Sequence, residues 1–248
     1  MGPHQARANV CEVFSSIQGE GVYVGRRQVF VRFYGCNLKC RYCDTPRTRA
    51  ADGRCGIETE PGTGNFVAFE NPIDAEKLTE SVTFLAKQAR HHSISLTGGE
   101  PLLQADFLRH WLPALLGGPG VHLETNGTLS DALEKIIDLV DVTAMDIKLP
   151  SATGMTPQWD QHLDFLRVAA SREVFVKVVF TENTPDAELD EVVRIVSSVS
   201  PPPAVVLQPV TGAGAPPPGR ILSSHAFLSD RLPNVLVIPQ THKIIGCA

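Results

Sequence analysis

The hydrophobic and polar positions change rhythm about a third of the way along the chain. Upstream the pattern is extended: Glu12–Gly21 starts with apolar alternation and ends in a glycine turn, and Gln28–Tyr34 (QVFVRFY) is rich in Val and Phe, both readings of β-structure. From Thr45 to Pro72 no period holds over most of the length; Gly, Pro and charge dominate, which predicts a long functional loop or insertion at about 46–72 with at most a small strand at Phe66–Phe69. Then regularity sets in. Leu78, Val82, Leu85 and Ala89 fall at helical spacing within Asp74–His91, with Asp74 as the N-cap. Short apolar strands follow at Ser93–Thr97, Val121–Thr125, Val142–Lys148, Glu173–Phe180, Ala204–Gln208 and Val235–Pro239, separated by helices at Leu103–Leu116, Ser130–Leu139, Trp159–Ala170, Asp186–Ser198 and Arg220–Ser229. Alternating strands and helices imply parallel pairing through right-handed crossovers, hence an α/β fold related to the TIM barrel, full or partial. In such folds functional groups gather at the C-terminal ends of the strands.

A length of 248 residues suits a single domain over residues 1–248. Hydrophobic content of 43% with 20% charged residues is ordinary for a soluble protein, and no apolar run is long enough for a membrane span. Met1–Ala8 lacks the apolar stretch of a secretory signal, so a cytoplasmic location with reduced thiols is expected. The formal net charge of −5 argues against nucleic acid as partner, because duplex affinity comes largely from cations that neutralise phosphates. Thr211–Gly219, rich in Gly and Pro, reads as a stiff loop rather than a domain linker.

Candidate chemistry starts with Cys36, Cys40 and Cys43. Three thiols in one short loop can grip one inorganic centre, and no fourth Cys or His follows nearby to close a zinc site. A four-iron cubane normally takes four thiolates, so three would leave one iron open to a reactive ligand. A degenerate zinc knuckle or three structural cysteines is the alternative. Cys11, Cys55 and Cys247 show no pairing pattern, and Cys11 and Cys55 read as incidental. Each strand end carries a further polar cluster. Gly98 and Gly99 before Glu100 and Pro101 let backbone approach a ligand, or else form a glycine turn into a helix. Glu124 and Asn126 close the next strand, and Asp146 and Lys148 share one face of the one after, where a surface ion pair is the plain reading.

The C-x3-C-x2-C spacing with Tyr42 before the last cysteine, and the segment Gly98-Gly99-Glu100-Pro101, resemble the radical S-adenosylmethionine (SAM) superfamily. The resemblance implies a partial (β/α)6 barrel and a 4Fe-4S cluster on the three cysteines. It also implies that SAM chelates the open iron and is cleaved to methionine and a 5'-deoxyadenosyl radical. Gly98, Gly99, Glu100, Glu124, Asn126, Asp146, Ile147 and Lys148, with Gln208, Pro209, Val210 and Thr211, are the positions it assigns to SAM.

Gln18-Gly19-Glu20-Gly21, Asp44-Thr45 after the cysteines, Gln208-Pro209 and Gln240-Thr241-His242-Lys243 narrow the likeness to the 7-carboxy-7-deazaguanine synthase family, over Glu12 to Ala248. This implies a carbon-nitrogen lyase of queuosine and deazapurine biosynthesis. It converts 6-carboxy-5,6,7,8-tetrahydropterin to 7-carboxy-7-deazaguanine with release of ammonia, after the radical takes hydrogen from C6. Thr45 would coordinate Mg2+, and no protein side chain acts as the catalyst itself. Ile17, Gln18, Gly19, Glu20, Arg32, Thr97, His242 and, through its α-carboxylate, Ala248 would meet the substrate. Gln18 and Glu20 can pair with a guanine-like pterin edge, and Arg32 offers a planar fork to a carboxylate, though a strand arginine can equally face solvent. A flavodoxin- or ferredoxin-type electron donor and a homodimer belong to the same implication.

The stretch 46–71 is longer than minimal members need, and Val210-Thr211 stands where others can be more acidic. Two rivals remain: a glycyl-radical-enzyme activating protein, which shares the cysteine spacing and an Asp-x-Lys element, and a non-enzymatic metal-binding module. Gln18, Glu20, Arg32 and the QTHK end favour a small anionic heterocycle over the first. The second leaves the motifs at successive strand ends unexplained.

Overall fold

A computed structural model describes residues 6–45, 48 and 53–247. Its strands are β1 (Arg7–Ala8), β2 (Val10–Ile17), β3 (Arg27–Phe33), β4 (Arg54–Glu58), β5 (Phe66–Glu70), β6 (Ile73–Asp74), β7 (Ser93–Gly98), β8 (Gly120–Thr125), β9 (Val142–Ile147), β10 (Glu173–Phe180), β11 (Ala204–Pro209) and β12 (Val235–Val237). All but β1 and β6 join one sheet in the order β12-β11-β10-β9-β8-β7-β3-β2-β4-β5. From β3 through β7, β8, β9, β10 and β11 to β12 every pairing is parallel, whereas β2 runs antiparallel to β3. The sheet stays open, with β12 and β5 as edges, so the barrel is partial, as expected.

The helices are α1 (Ala75–Gln88), α2 (Ala105–Trp111), α3 (Ser130–Glu134), α4 (Pro150–Thr153), α5 (Trp159–Ala169), α6 (Asp186–Val196), α7 (Pro218–Ser229) and α8 (Thr241–Ile245). Asp74 caps α1 as the sequence suggested, accepting from the Lys77 amide at 2.8 Å. The helix expected over Leu103–Leu116 is shorter. Only α2 is regular, flanked by tight 3-10 turns at Pro101–Gln104 and Leu112–Leu115, because Pro113 has no N–H to carry an α-helix on. Likewise α3 stops at Glu134 and a 3-10 turn at Ile137–Leu139 completes the expected Ser130–Leu139 element.

Period-2 alternation gives the sheet two unlike faces. One packs on the helices: Phe33, Leu96, Leu123, Ile147, Val178 and Leu207 are all but inaccessible and share a core with Leu78, Leu108, Phe165, Leu189 and Leu228. Burying each such side chain is worth roughly 1.5–3 kcal/mol. The other face curls around a cavity. Its floor is Val142, Ala144, Phe175 and Val206, and toward the C-terminal strand ends come Arg32, Thr97, Glu124, Asp146, Lys177 and Gln208.

The stretch 46–72, expected as a loop, contains in its described part a hairpin. β4 and β5 pair antiparallel from Arg54↔Glu70 to Glu58↔Phe66, and β4 extends the sheet beside β2. Alternation is present but short: Cys55 and Ile57 go into the core while Arg54 is exposed. The charge that masked it is structural, since Glu58 accepts from the amides of Gly62 at 3.0 Å, Gly64 at 2.9 Å and Ser15 at 2.8 Å. One buried carboxylate thus closes the turn and ties it to β2.

Candidate active site at the mouth of the partial barrel

The cysteine loop leaves β3 through Gly35. Cys36, Cys40 and Cys43 are half-buried and all line one cavity of about 420 Å3, an ordinary size for a ligand site. The loop is tied down from several sides. The Arg41 amide donates to the Thr153 carbonyl at 2.9 Å, Asn126 donates to Asn37 at 2.7 Å, and Asn37 donates to Thr128 at 2.9 Å. Burial raises the thiol pKa of Cys36 and of Cys40, so a metal that binds them must displace their protons. Cys11 and Cys55 are buried away from this cavity. Three thiols on one loop, with no fourth among the described residues lining the cavity, fit a cluster that keeps one coordination site for another ligand.

Gly98 and Gly99 are required for a reason the motif alone does not disclose. Gly98 has φ +119°, and a Cβ on either residue would drive into backbone, that of Phe33 for Gly98 and that of Gly35 for Gly99. The close approach is therefore to the cysteine loop itself, where the Glu100 amide donates to the Gly35 carbonyl at 2.7 Å. Both glycines also line the cavity. Glu100 does not. It is wholly buried, accepting from the Leu102 amide at 3.1 Å, the Thr125 hydroxyl at 2.9 Å and the Asn126 amide at 2.7 Å, and burial pushes its carboxyl up to about 7. Its work is to join the ends of β7 and β8.

Along β8 and β9 the polar residues are locked together. Glu124 accepts from Gln18 at 2.7 Å, Ser95 at 3.1 Å and Thr97 at 2.8 Å. Lys148 pairs with Asp146 at 2.6 Å and lies 5.4 Å from the Tyr42 ring centre. Burial alone would lower the Lys148 pKa, but Asp146 and its other neighbours hold it well above the usual range. Ile147 points into the helix-side core, 1% exposed, so any contact it makes with a ligand is through backbone. His162, from α5, joins the two strand ends: its Nε2 lies 3.0 Å from the Lys148 amide and its Nδ1 2.9 Å from the Gly127 carbonyl. Because an amide N–H only donates, Nε2 accepts and Nδ1 carries the proton. On β11, Gln208 is 3% exposed, and its carbonyl oxygen has no hydrogen-bond partner among the described residues. Val210 and Thr211 line the cavity; Pro209 is not in its wall.

On the opposite wall stand Ile17, Gln18, Gly19, Glu20, Arg32, Thr97 and His242. Arg32 does face inward, but Glu12 of β2 accepts from its Nε at 2.7 Å and the guanidinium lies over Phe14. The sheet thus supplies an anionic partner, leaving the rest of the fork for the cavity. Gln18 spends its amide on Gln28 at 3.0 Å, Glu124 and the Glu20 amide. α8 docks over the mouth through the Thr241 amide, which donates to the Gly19 carbonyl at 2.8 Å, and this sets His242 against Gly19. Ala248 lies outside the described residues.

Thr45 lines the cavity. Beside it Glu20, Asp44 and His242 bring ligand atoms within 4.8 Å of one another. Lys177 already pairs with Glu20, and Lys243 with Asp44 at 3.2 Å. Two ammonium groups satisfy those carboxylates, so the trio reads as an ion-pair cluster.

Sequence reasoning gave no site role to three residues here. Lys177 interrupts the apolar run EVFVKVVF and lies across from Asp146 in the β9–β10 register; a lone charge inside such a run was the available signal. Gln240 donates to Glu20 at 2.7 Å and to Asp44 at 3.0 Å, and accepts from Thr211 at 3.0 Å. His162 gave no local signal, since its partners come from distant strands. Glu20, held between Lys177 and Gln240, has its carboxyl at about 2: burial works upward, and Lys177, Gln240 and His242 together outweigh it.

A partial barrel with a three-cysteine loop after its first parallel strand is the architecture of one enzyme class. Residues 30–196 match the family model of the radical SAM superfamily, and the chain belongs to it. Two solved structures share the fold at 17% sequence identity. QueE from Escherichia coli has a TM-score of 0.55 over 95% of each chain. A radical SAM methyltransferase from Sphaerobacter thermophilus has a TM-score of 0.58 over 87% of this chain and 70% of its own. The 7-carboxy-7-deazaguanine synthase of Geobacter sulfurreducens is 44% identical over 244 residues, 96% of this chain and 97% of that protein. That of Methanothermobacter thermautotrophicus is 35% identical over 97% of this chain and 98% of its own. Within the superfamily, the chain belongs to the 7-carboxy-7-deazaguanine synthase family.

Proposed function

We propose that this protein converts 6-carboxy-5,6,7,8-tetrahydropterin to 7-carboxy-7-deazaguanine and ammonia. One observation carries the reading beyond family membership. The three cysteine thiols and a wall bearing Gln18, Glu20, Arg32, Thr97, Glu124 and His242 open into the same cavity, so a cluster-bound reagent and an anionic heterocycle would meet there. When bound, the 4Fe-4S cluster and SAM supply the radical that takes hydrogen from C6. The chain's own residues do the rest. Cys36, Cys40 and Cys43 hold the cluster; Gly98, Gly99, Asn126, Asp146, Lys148, Gln208 and Thr211 bound the SAM side. Glu20 accepts from the amine and amide N–H groups of the pterin edge. Glu124, which the resemblance gave to SAM, joins it there, because Gln18 and Thr97 of the substrate wall donate to its carboxylate. The free part of the Arg32 fork takes the substrate carboxylate. α8 and His242 cover the mouth and exclude water.

Thr45 is positioned to ligate Mg2+ once a substrate carboxylate and waters complete the shell, because one neutral hydroxyl cannot hold the ion. The reading includes a flavodoxin- or ferredoxin-type donor, a homodimer, a single domain and a cytoplasmic setting. Among the described residues no helix is long and apolar enough to cross a membrane. The small substrate is preferred to a protein substrate because α8 packs across the mouth through Gly19.

The test is anaerobic reconstitution with iron and sulfide, followed by incubation with SAM, reductant, Mg2+ and the carboxytetrahydropterin. Equal amounts of deazaguanine and ammonia are expected. Reductive SAM cleavage with the pterin left intact would sink the assignment.

A further inference from the structure

The charges along the cavity form an ordered chain. Starting from the cysteine loop, Lys148 pairs with Asp146 at 2.6 Å, the other oxygen of Asp146 lies 3.3 Å from Lys177, and Lys177 pairs closely with Glu20. Gln240 then continues from Glu20 to Asp44. Two of these steps lie at the C-terminal end of β9 and across its register with β10, where Asp146 faces Lys177. The third jumps to the turn after β2. Lys177 is therefore the link between the segment on the SAM side and the carboxylate on the pterin side.

Its side chain is 11% exposed, and removing an ammonium from water costs several kcal/mol, offset only by good partners. In the sheet Lys177 lies between Asp146 and Val206, and without it Glu20 and one oxygen of Asp146 would be buried lacking their cation. Without the lysine, Glu20 keeps only the Gln240 amide of its side-chain partners and can swing. Recognition of a row of N–H donors needs a carboxylate in one fixed orientation.

We propose that Lys177 is a positioning residue for pterin binding, fixing the Glu20 carboxylate toward the heterocycle and anchoring it to Asp146 on the SAM side. This rests on the pterin reading above. Lys177 acts through Glu20 and not on the substrate, which separates it from a direct ligand.

The test is equilibrium dialysis of the anaerobically reconstituted full-length protein against 6-carboxypterin, the stable oxidised analogue. Lys177→Met is expected to weaken binding at least about tenfold, or about 1.4 kcal/mol, measured per folded molecule because loss of the buried cation also lowers the urea midpoint. In a Glu20→Gln background the same change should cost less than about threefold, since interacting residues are not additive. If the variant does not fold, Lys177→Gln is read against Glu20→Gln in the same way. Unchanged affinity, or an undiminished loss in the Glu20→Gln background, overturns the role given to Lys177. Wild-type protein that does not bind 6-carboxypterin overturns the pterin reading itself, and this inference with it.

Discussion

Leu96 and Thr97 are neighbours on β7, yet they belong to different parts of the molecule. Leu96 is fully buried in the core between sheet and helices, whereas Thr97 faces the cavity and donates to Glu124 at 2.8 Å. The same contrast recurs on each strand around the cavity: Val31 against Arg32, Leu123 against Glu124, Ile147 against Asp146, Val178 against Lys177, Leu207 against Gln208. One face is held by dispersion and area, which tolerate small shifts of partner. The other is held by hydrogen bonds and ion pairs, which require particular atoms opposite one another. The strands thus carry stability on one side and recognition on the other, at single-residue spacing.

The largest effect that sharpens this contrast is Leu96→Ala, which should cost about 2–5 kcal/mol of folding stability. Urea denaturation measures the loss, and product formed per folded molecule should stay at the wild-type level. A tenfold fall in that specific turnover would show that the faces are not separable.

His162 comes next, because it crosses between them, reaching from α5 to the ends of β8 and β9. Burial lowers its pKa from 6.5 to about 4, so the folded protein keeps it neutral. Between those values the unfolded chain binds a proton that the folded one does not. The contribution is therefore full above pH 6.5 and lost as pH falls to about 4. The stability gap between wild type and His162→Gln should narrow over that range by about 3 kcal/mol, measured by urea unfolding at several pH values. A constant gap would mean that the imidazole is not held neutral.

The smallest effect belongs to Thr97→Val, which removes one donor from Glu124 and should cost about 1 kcal/mol of stability. Here the readout is kinetic. KM for the pterin should rise several-fold, in contrast to Leu96→Ala, and an unchanged KM would move Thr97 out of the recognition face.

Much of this was legible from the chain alone. Most strands announced themselves by alternation or by short apolar runs, α1 by its spacing and its Asp74 cap, and the cysteine loop by three thiols within eight positions, Cys36 to Cys43. The β4–β5 hairpin was hidden because its two runs are short and its turn is built from Gly, Pro and Glu58, which locally look like any loop. Arg32 reads as a cation in need of a ligand until β2 pairs antiparallel with β3 and brings Glu12 beside it. Gly98 and Gly99 read as room for a ligand, whereas much of that room is taken by the backbone at Phe33 and Gly35.

Properties that depend on a few consecutive residues were determined by the sequence itself: where strands and helices lie, which faces are apolar, and which loop can hold a metal cluster. Pairings across segments were decided only by tertiary structure. Asp146 and Lys177 each stand out as a charge in their own strand, but nothing local pairs them; parallel register sets them across from each other, and the turn at Glu20 closes the contact. The physical reason is range. Backbone preference and hydrophobic period act over several residues, while a buried charge is stable only beside its partner, and where that partner lies depends on how every intervening strand has paired.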